Sequence, residues 1–185
     1  MIPAGFDPNA EATRVHIANH KWWHDLNDPS IRLDRNVDEL LMLDVSEVAE
    51  ALEGERKSLH DDKLILRPMA EVEIADVLIR TFDFAGAYKY VIRSDVPPAK
   101  MTENRGQSLL RIVKKICRVS DLIEENSRDT VAISEAVSGI VVSCFAYAEK
   151  FQYDLLGAYE EKMAYNQTRK DHSVEERKKQ HGKKF

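Results

Sequence analysis

Two pairs of carboxylates in this sequence are spaced so that they can act together. Glu47 and Glu50 are three residues apart, and so are Glu73 and Asp76. In a helix, residues three apart lie on one face, one turn from each other. Carboxylates at that spacing repel each other, and a divalent cation bound between them relieves the repulsion. The spacing therefore predicts a metal site, provided that the two segments are helices that pack side by side.

The residues around these acids are apolar, which places the acids in the apolar part of each segment. The neighbours are Val48, Ala49, Ile74, Ala75, Val77 and Leu78. Four carboxylates in a half-buried cluster cannot all stay ionised without compensation, and their pKa values should rise when no metal is bound. Mg²⁺ and Mn²⁺ suit such oxygen ligands. The alternative interpretation of each pair is a solvated helix face. Asp44 and Asp83 share these faces and are candidates for further ligands or supporting groups.

Basic and aromatic side chains elsewhere in the chain could bind an anionic ligand of such a metal. Lys162 and Arg169 lie near the end of a long predicted helix, with Asn166 one turn after Lys162, and Lys183 and Lys184 lie in the tail. The alternative for each cation is a solvated surface charge. Trp22 and Trp23 are adjacent and cannot share a helix face, so we expect one in the core. The other could stack on a base, and core packing is the alternative interpretation.

Helical spacing of apolar residues recurs along the chain, whereas strand patterns are scarce. It predicts five helices, at about residues 9–25, 37–54, 68–92, 103–124 and 130–165. Asn36 resembles the start of a capping box with Glu39, and Gly54 suits a helix end. We therefore predict an all-α bundle of four to five helices in one domain over residues 1–167. A basic tail follows over residues 168–185, either mobile or folded over a charged surface.

Composition limits the classes of function. The chain has 185 residues and a formal net charge of -5, so it lacks the basic field that a stable nucleic-acid partner would need. Residues 1–9 have no basic region followed by an apolar stretch, and polar residues interrupt the apolar stretch at 131–151. We therefore expect a cytoplasmic protein with no membrane segment.

Four segments of the chain resemble the all-α NTP pyrophosphatase superfamily, which includes MazG, MazG-like proteins and the dimeric dUTPases. Residues 46–55 read SEVAEALEGE and residues 71–80 read EVEIADVLIR, which is similar to the acidic signature of that superfamily. Residues 161–172 read EKMAYNQTRKDH and residues 181–185 read HGKKF, which resembles the ends of MazG-like proteins. The resemblance extends from about Trp22 to the end of the chain.

The resemblance implies a four-helix core completed by formation of a homodimer or homotetramer. It also implies hydrolysis of a (deoxy)nucleoside triphosphate between the α and β phosphates, giving a monophosphate and pyrophosphate. The residues that match the family's metal ligands are Glu47, Glu50, Glu73 and Asp76. Tyr165 and Asn166 match the segment that helps to hold the nucleotide. Some phage-encoded relatives of this size act on dGTP or GTP, so the resemblance allows a purine-directed enzyme in a host cytoplasm.

Two departures from the family pattern leave the base and sugar preference open. Ser46 stands where the family often has a further acid, and residues 95–105 are longer and richer in proline than in compact members. A dUTP- or dCTP-directed pyrophosphatase of the same fold is therefore an alternative to a purine-directed enzyme.

Two other classes of protein compete with this interpretation. Di-metal oxidases of the ferritin kind use Glu-x-x-His motifs, whereas the partner positions here are Glu50 and Asp76, which favours non-redox Mg²⁺ or Mn²⁺. Two or more such ions per site can activate a water and neutralise the leaving pyrophosphate. The remaining alternative is a non-catalytic helical interaction module whose basic tail binds acidic partners or nucleic acid.

Overall fold

The computed structural model describes residues 1–183, and that part of the chain contains seven α-helices and no strand. The helices are α1 (Pro8–Ala18), α2 (Val37–Lys57), α3 (Met69–Tyr88), α4 (Arg105–Asn126), α5 (Thr130–Phe151), α6 (Leu155–Thr168) and α7 (Val174–Lys178). Two short 3-10 turns cover His20–Trp22 and Lys170–His172. The predicted all-α class is confirmed.

Helix α3 lies at the centre of the bundle and packs against α1, α2, α5 and α6. It is apolar around most of its circumference, which is typical of a helix enclosed by others. Ile74, Leu78 and Phe82 are completely buried. The carboxylates of Glu73 and Asp76 therefore belong to a core helix, where they are removed from most of the solvent.

Helix α2 runs antiparallel to α3 and begins where the sequence predicts. The Asn36 side chain accepts a hydrogen bond from the Glu39 backbone N–H at 2.9 Å. The predicted end at Gly54 is wrong, because α2 continues to Lys57 and ends at Ser58, which has a φ of 52°. A Cβ at Gly54 would lie 2.9 Å from the Met69 Cβ. Gly54 therefore serves the close approach of α2 to α3 rather than a cap.

The single long helix predicted over residues 130–165 is also wrong, because the chain breaks it into α5 and α6. Gln152 adopts a left-handed φ of 61°. The Asp154 carboxylate accepts a hydrogen bond from the Gly157 N–H at 3.0 Å, which starts α6 afresh. Similarly, the predicted first and third helices are too long, since α1 ends at Ala18 and α3 ends at Tyr88. The break allows α6 to pack back against α3.

The basic tail folds onto the rest of the chain as far as it is described, and residues 184–185, including the candidate Lys184, lie outside the described residues. Arg177 is 1% exposed, and its guanidinium lies 3.8 Å from the centre of the Trp22 ring. It also donates a hydrogen bond to the Lys21 carbonyl at 2.7 Å. A cation–π contact of this kind holds a segment that has little apolar surface of its own.

One helix, α5, is long and apolar enough to cross a membrane by length and composition alone, so the expectation that its polar residues rule this out is wrong. However, 72% of its most apolar window is buried inside the protein. Such burial is found in core helices of soluble proteins, and a single helix of this kind is weak evidence for a membrane segment.

Candidate metal centre

Three carboxylates converge where α2 packs against α3. One oxygen each from Glu47, Glu73 and Asp76 lies within 4.8 Å of the others. Glu47 and Glu73 are buried, and the side chain of Asp76 is 14% exposed. The convergence follows from the antiparallel packing, because α2 and α3 each present an acidic pair at the same level of the bundle. Three oxygens so close together could hold a metal ion.

Glu50, the fourth predicted ligand, lies outside this cluster. Its residue is exposed at the solvent side of α2. Partial burial raises its pKa, and the negative charges of Glu47 and Asp76 raise it further. Glu50 is therefore close enough to interact with the cluster electrostatically, although its carboxylate does not join it.

Two cations already balance part of the negative charge of the cluster. The Lys162 Nζ lies 2.9 Å from an Asp76 oxygen, and an Arg80 nitrogen lies 2.6 Å from a Glu47 oxygen. Burial, reinforced by the charge of Asp76 and only partly opposed by that of Lys162, raises the pKa of the Glu73 carboxyl to about 9. Burial also raises the pKa of Asp76, against the opposing effect of Lys162. The predicted rise in pKa of a metal-free buried cluster is confirmed for these two acids.

Lys162 is placed differently from what the sequence suggests. Instead of a surface cation available to phosphate, it is 4% exposed and its Nζ lies between Asp76 and Asp61, 3.9 Å from the Asp61 carboxylate. Asp61 was not predicted as a site residue, because it lies in a polar segment, residues 55–63, that reads as a loop. Its carboxylate accepts hydrogen bonds from the backbone of Lys63 and Leu64 at 2.9 and 2.6 Å, so it also shapes the loop before α3.

A cavity of about 120 Å³ opens beside the carboxylate cluster. Asp76 lines it, together with three residues predicted to bind substrate, Trp22, Asn166 and Arg169. Lys183 from the tail lines it as well. The structure therefore brings three of the five predicted substrate-binding residues to a single space next to the acids.

The other two predicted substrate-binding residues do not line this cavity. Lys162 belongs to the acid cluster, as described above. Tyr165 is half-buried, and the Arg169 guanidinium lies 5.8 Å from the centre of its ring. Tyr165 therefore supports a cavity residue rather than facing the cavity itself.

Trp23 is buried at 2% exposed, as expected for a core residue, but both tryptophans line the cavity. They do not lie on a helix, since Trp22 ends a 3-10 turn that follows α1. The His172 ring meets the Trp22 ring edge-on, with 5.1 Å between their centres. Together with Arg177, His172 fixes the indole of Trp22 in place.

The cationic side of the cavity is organised by Asp171. Its carboxylate accepts hydrogen bonds from Arg169 at 2.7 and 3.0 Å and lies 3.3 Å from the Lys183 ammonium. These cations hold the pKa of Asp171 well below its usual value. Arg169 and Lys183 are thus gathered at one wall, where a phosphate group would meet both.

Asp44 and Asp83, the candidates for supporting groups, both line the cavity and lie outside the acid cluster. Arg80 and His172, which also line it, were missed by the sequence analysis. Arg80 did carry a signal, because it lies one turn after Asp76 on the same face of α3. His172 is the last residue of the segment that resembles the ends of MazG-like proteins, and it carried no other signal.

No protein-family model, curated protein or solved structure matches this chain. The resemblance to MazG-like proteins therefore stays a prediction, and a function has to be inferred from the chemistry of the site.

Proposed function

We propose that this protein is a metal-dependent nucleoside triphosphate pyrophosphohydrolase of the MazG-like kind. Its reaction would be hydrolysis of a (deoxy)nucleoside triphosphate between the α and β phosphates, with a monophosphate and pyrophosphate as products. The observation that carries the proposal is the convergence of Glu47, Glu73 and Asp76 beside a cavity with a cationic wall.

The donor set fits Mg²⁺ or Mn²⁺, because it consists of carboxylate oxygens, which hard divalent cations prefer. Glu47, Glu73 and Asp76 would hold the metal, and Glu50 is the candidate ligand for a second ion. When bound, such ions supply an activated water and neutralise charge on the phosphates. Glu73 would lose its proton on binding, since a metal ligand must be ionised.

The residues of the cavity would bind and orient the substrate. Arg169 and Lys183 would contact phosphate oxygens by charge-assisted hydrogen bonds. Asn166 would add a neutral hydrogen bond, and the Trp22 indole would form a wall for the base. Positioning of this kind is a large part of catalysis when no covalent intermediate is formed.

The proposal is tested by incubating the protein with each common NTP and dNTP, with Mg²⁺ or Mn²⁺, and separating the products. We expect monophosphate plus pyrophosphate, a reaction that EDTA stops. Glu47→Gln and Asp76→Asn should abolish turnover while far-ultraviolet circular dichroism stays unchanged. Glu53→Gln is the matched control, because Glu53 lies on the same helix with its charge paired to Lys57 at the surface. Diphosphate plus phosphate as products would overturn the assignment.

A non-catalytic helical interaction module is the second candidate. It is favoured by the contacts of Lys162 and Arg80, which compensate Asp76 and Glu47 without any metal. The two candidates differ in their response to metal, since a ligand that binds only the folded state raises the melting temperature. No rise with Mg²⁺ or Mn²⁺, together with no turnover, would favour the interaction module.

The homodimer or homotetramer implied by the resemblance is part of the same proposal. Size-exclusion chromatography with light scattering measures it directly. A mass of one chain, 21.2 kDa, at micromolar concentration would contradict it.

A further inference from the structure

Asp44 is a buried acid at the cavity wall, and one of its two carboxylate oxygens has no hydrogen-bond partner among the described residues. It lies on α2 one turn before Glu47 and is 2% exposed. Within residues 1–183, its Oδ1 has no hydrogen-bond partner. Buried polar atoms are nearly always hydrogen-bonded, so an orphaned carboxylate oxygen at a cavity wall is available to accept a hydrogen bond from a ligand.

The other acid at this end of the cavity differs from Asp44 in this respect. Asp83 accepts hydrogen bonds from Asn19 and Trp23 at 3.0 and 2.9 Å, and its other contact is with the His16 ring at 2.8 Å. Asp83 therefore holds the segment that follows α1 in place. Asp44 is the acid left to meet a ligand.

A second acceptor faces the same cavity. The Oδ1 of Asn166 is buried and also has no partner within the described part of the chain. Burial raises the pKa of Asp44 well above its usual value, against the opposing effects of the Arg80 charge and of the nearby Thr81 hydroxyl, which has no other partner among the described residues. A donor from a ligand would relieve that penalty, because a hydrogen bond to the ionised carboxyl stabilises it.

The rest of the cavity wall suits a flat, largely apolar group with a polar edge. The apolar lining residues are Trp22, Trp23, Leu40, Leu43, Ile79 and Phe84. Along α3, Asp83 lies two turns, about 10 Å, beyond Asp76. Asp44 itself lies one turn, about 5 Å, before Glu47 along α2. A nucleotide whose phosphates approach the carboxylate cluster would therefore have its base within reach of Asp44.

We propose that Asp44 determines base specificity by accepting a hydrogen bond from an exocyclic amino group of the nucleobase. The substrate class is then an amino-bearing (deoxy)nucleotide, and nucleotides of uracil, thymine and hypoxanthine are disfavoured. This inference rests on the proposed function in one respect, namely that the cavity takes a nucleotide. Polar recognition of this kind discriminates strongly, because the analogue without the donor leaves the buried acceptor unpaired.

The test compares nucleotides that differ at the amino group, in an assay that does not depend on turnover. Binding of dGMP against dIMP, and of dCMP against dUMP, is measured by equilibrium dialysis with the full chain. For the wild-type protein we expect the amino-bearing member of at least one pair to bind about tenfold more tightly or better. Asp44→Leu should reduce that ratio to near one, whereas Asp44→Asn, which keeps one acceptor oxygen, should retain part of it. Asp38→Leu, an exposed acid on the same helix, is the matched control and should keep the wild-type ratio.

Each outcome separates this inference from the proposed function. Equal binding within both pairs, no binding at all, or an unchanged ratio in Asp44→Leu would overturn the role of Asp44. Triphosphate hydrolysis between the α and β phosphates could still be observed in that case, and the proposed function would stand. An amino preference that Asp44→Leu removes, in a protein that hydrolyses no triphosphate, would support Asp44 and overturn the proposed function.

Discussion

The contact between Lys162 and Asp76 yields a prediction whose size follows from burial. The Lys162 side chain is 5% exposed and the Asp76 side chain 14%, with 2.9 Å between Nζ and the carboxylate. Replacing one member of a buried ion pair leaves the other as an uncompensated charge, at a cost of about 3 kcal/mol or more. For a chain of this size, that loss corresponds to a fall in melting temperature of roughly 6–12 °C. We therefore expect Lys162→Met, in EDTA at pH 7, to be destabilised by that amount.

Two further measurements show whether this loss comes from the unpaired charge. The double variant Lys162→Met/Asp76→Asn should recover most of the lost free energy of unfolding, because it removes both charges. Mg²⁺ should raise the melting temperature of Lys162→Met by more than that of the wild-type protein, since the ion replaces the ammonium as partner of Asp76. Urea unfolding and thermal scans measure both effects. A single variant as stable as the wild type, or a double variant no better than the single one, would refute this reasoning.

Four other predictions follow from individual contacts. The pKa of Glu73, about 9 against an ordinary 4.5, means that the folded state holds this proton more tightly than the unfolded state. As the pH rises from about 5 to about 9 in EDTA, the free energy of unfolding of the wild-type protein should therefore fall relative to that of Glu73→Gln, by at most about 1.4 kcal/mol per pH unit. A difference in urea unfolding that does not change with pH would contradict this. Glu50→Gln should lower kcat/KM with Mg²⁺ less than Glu47→Gln, and an equal loss would make Glu50 an essential ligand. Arg177→Ala should speed proteolysis of the tail by removing its contact with Trp22, and unchanged cleavage kinetics would show that this contact does not hold the tail. Gly86→Ala should lower the free energy of unfolding by about 1–3 kcal/mol, because the new Cβ would lie 2.4 Å from a carbonyl oxygen of α1, and wild-type stability would mean that α1 shifts freely.

The parts of the site that depend on local pattern could be predicted from the sequence. The spacing of Glu73 and Asp76 places both acids on one face of α3, whichever helices α3 packs against. The assignment of Glu50 depended instead on how α2 is rotated against α3, which tertiary packing decides. Close approach at Gly54 fixes that packing, and it leaves Glu50 exposed while Glu47 is buried.

The parts of the site that depend on contacts distant in sequence could not be predicted. Lys162 reaches Asp76 only because the chain breaks at Gln152 and α6 packs back on α3, and a one-residue change of backbone conformation carries almost no signal in an apolar stretch. The contact between Arg177 and Trp22 joins the two ends of the chain through a single cation and a single ring. Neither partner belongs to an amphipathic pattern, so periodicity gave no indication of it.

We propose that the converging carboxylates support metal-dependent attack of water on the α phosphorus. The most direct measurement is hydrolysis of the preferred triphosphate in ¹⁸O-labelled water with Mg²⁺, followed by mass spectrometry of both products. We predict that the label appears in the monophosphate, and that neither product forms in EDTA or with Asp76→Asn. Label in the pyrophosphate, or in inorganic phosphate released from the γ position, would contradict the account.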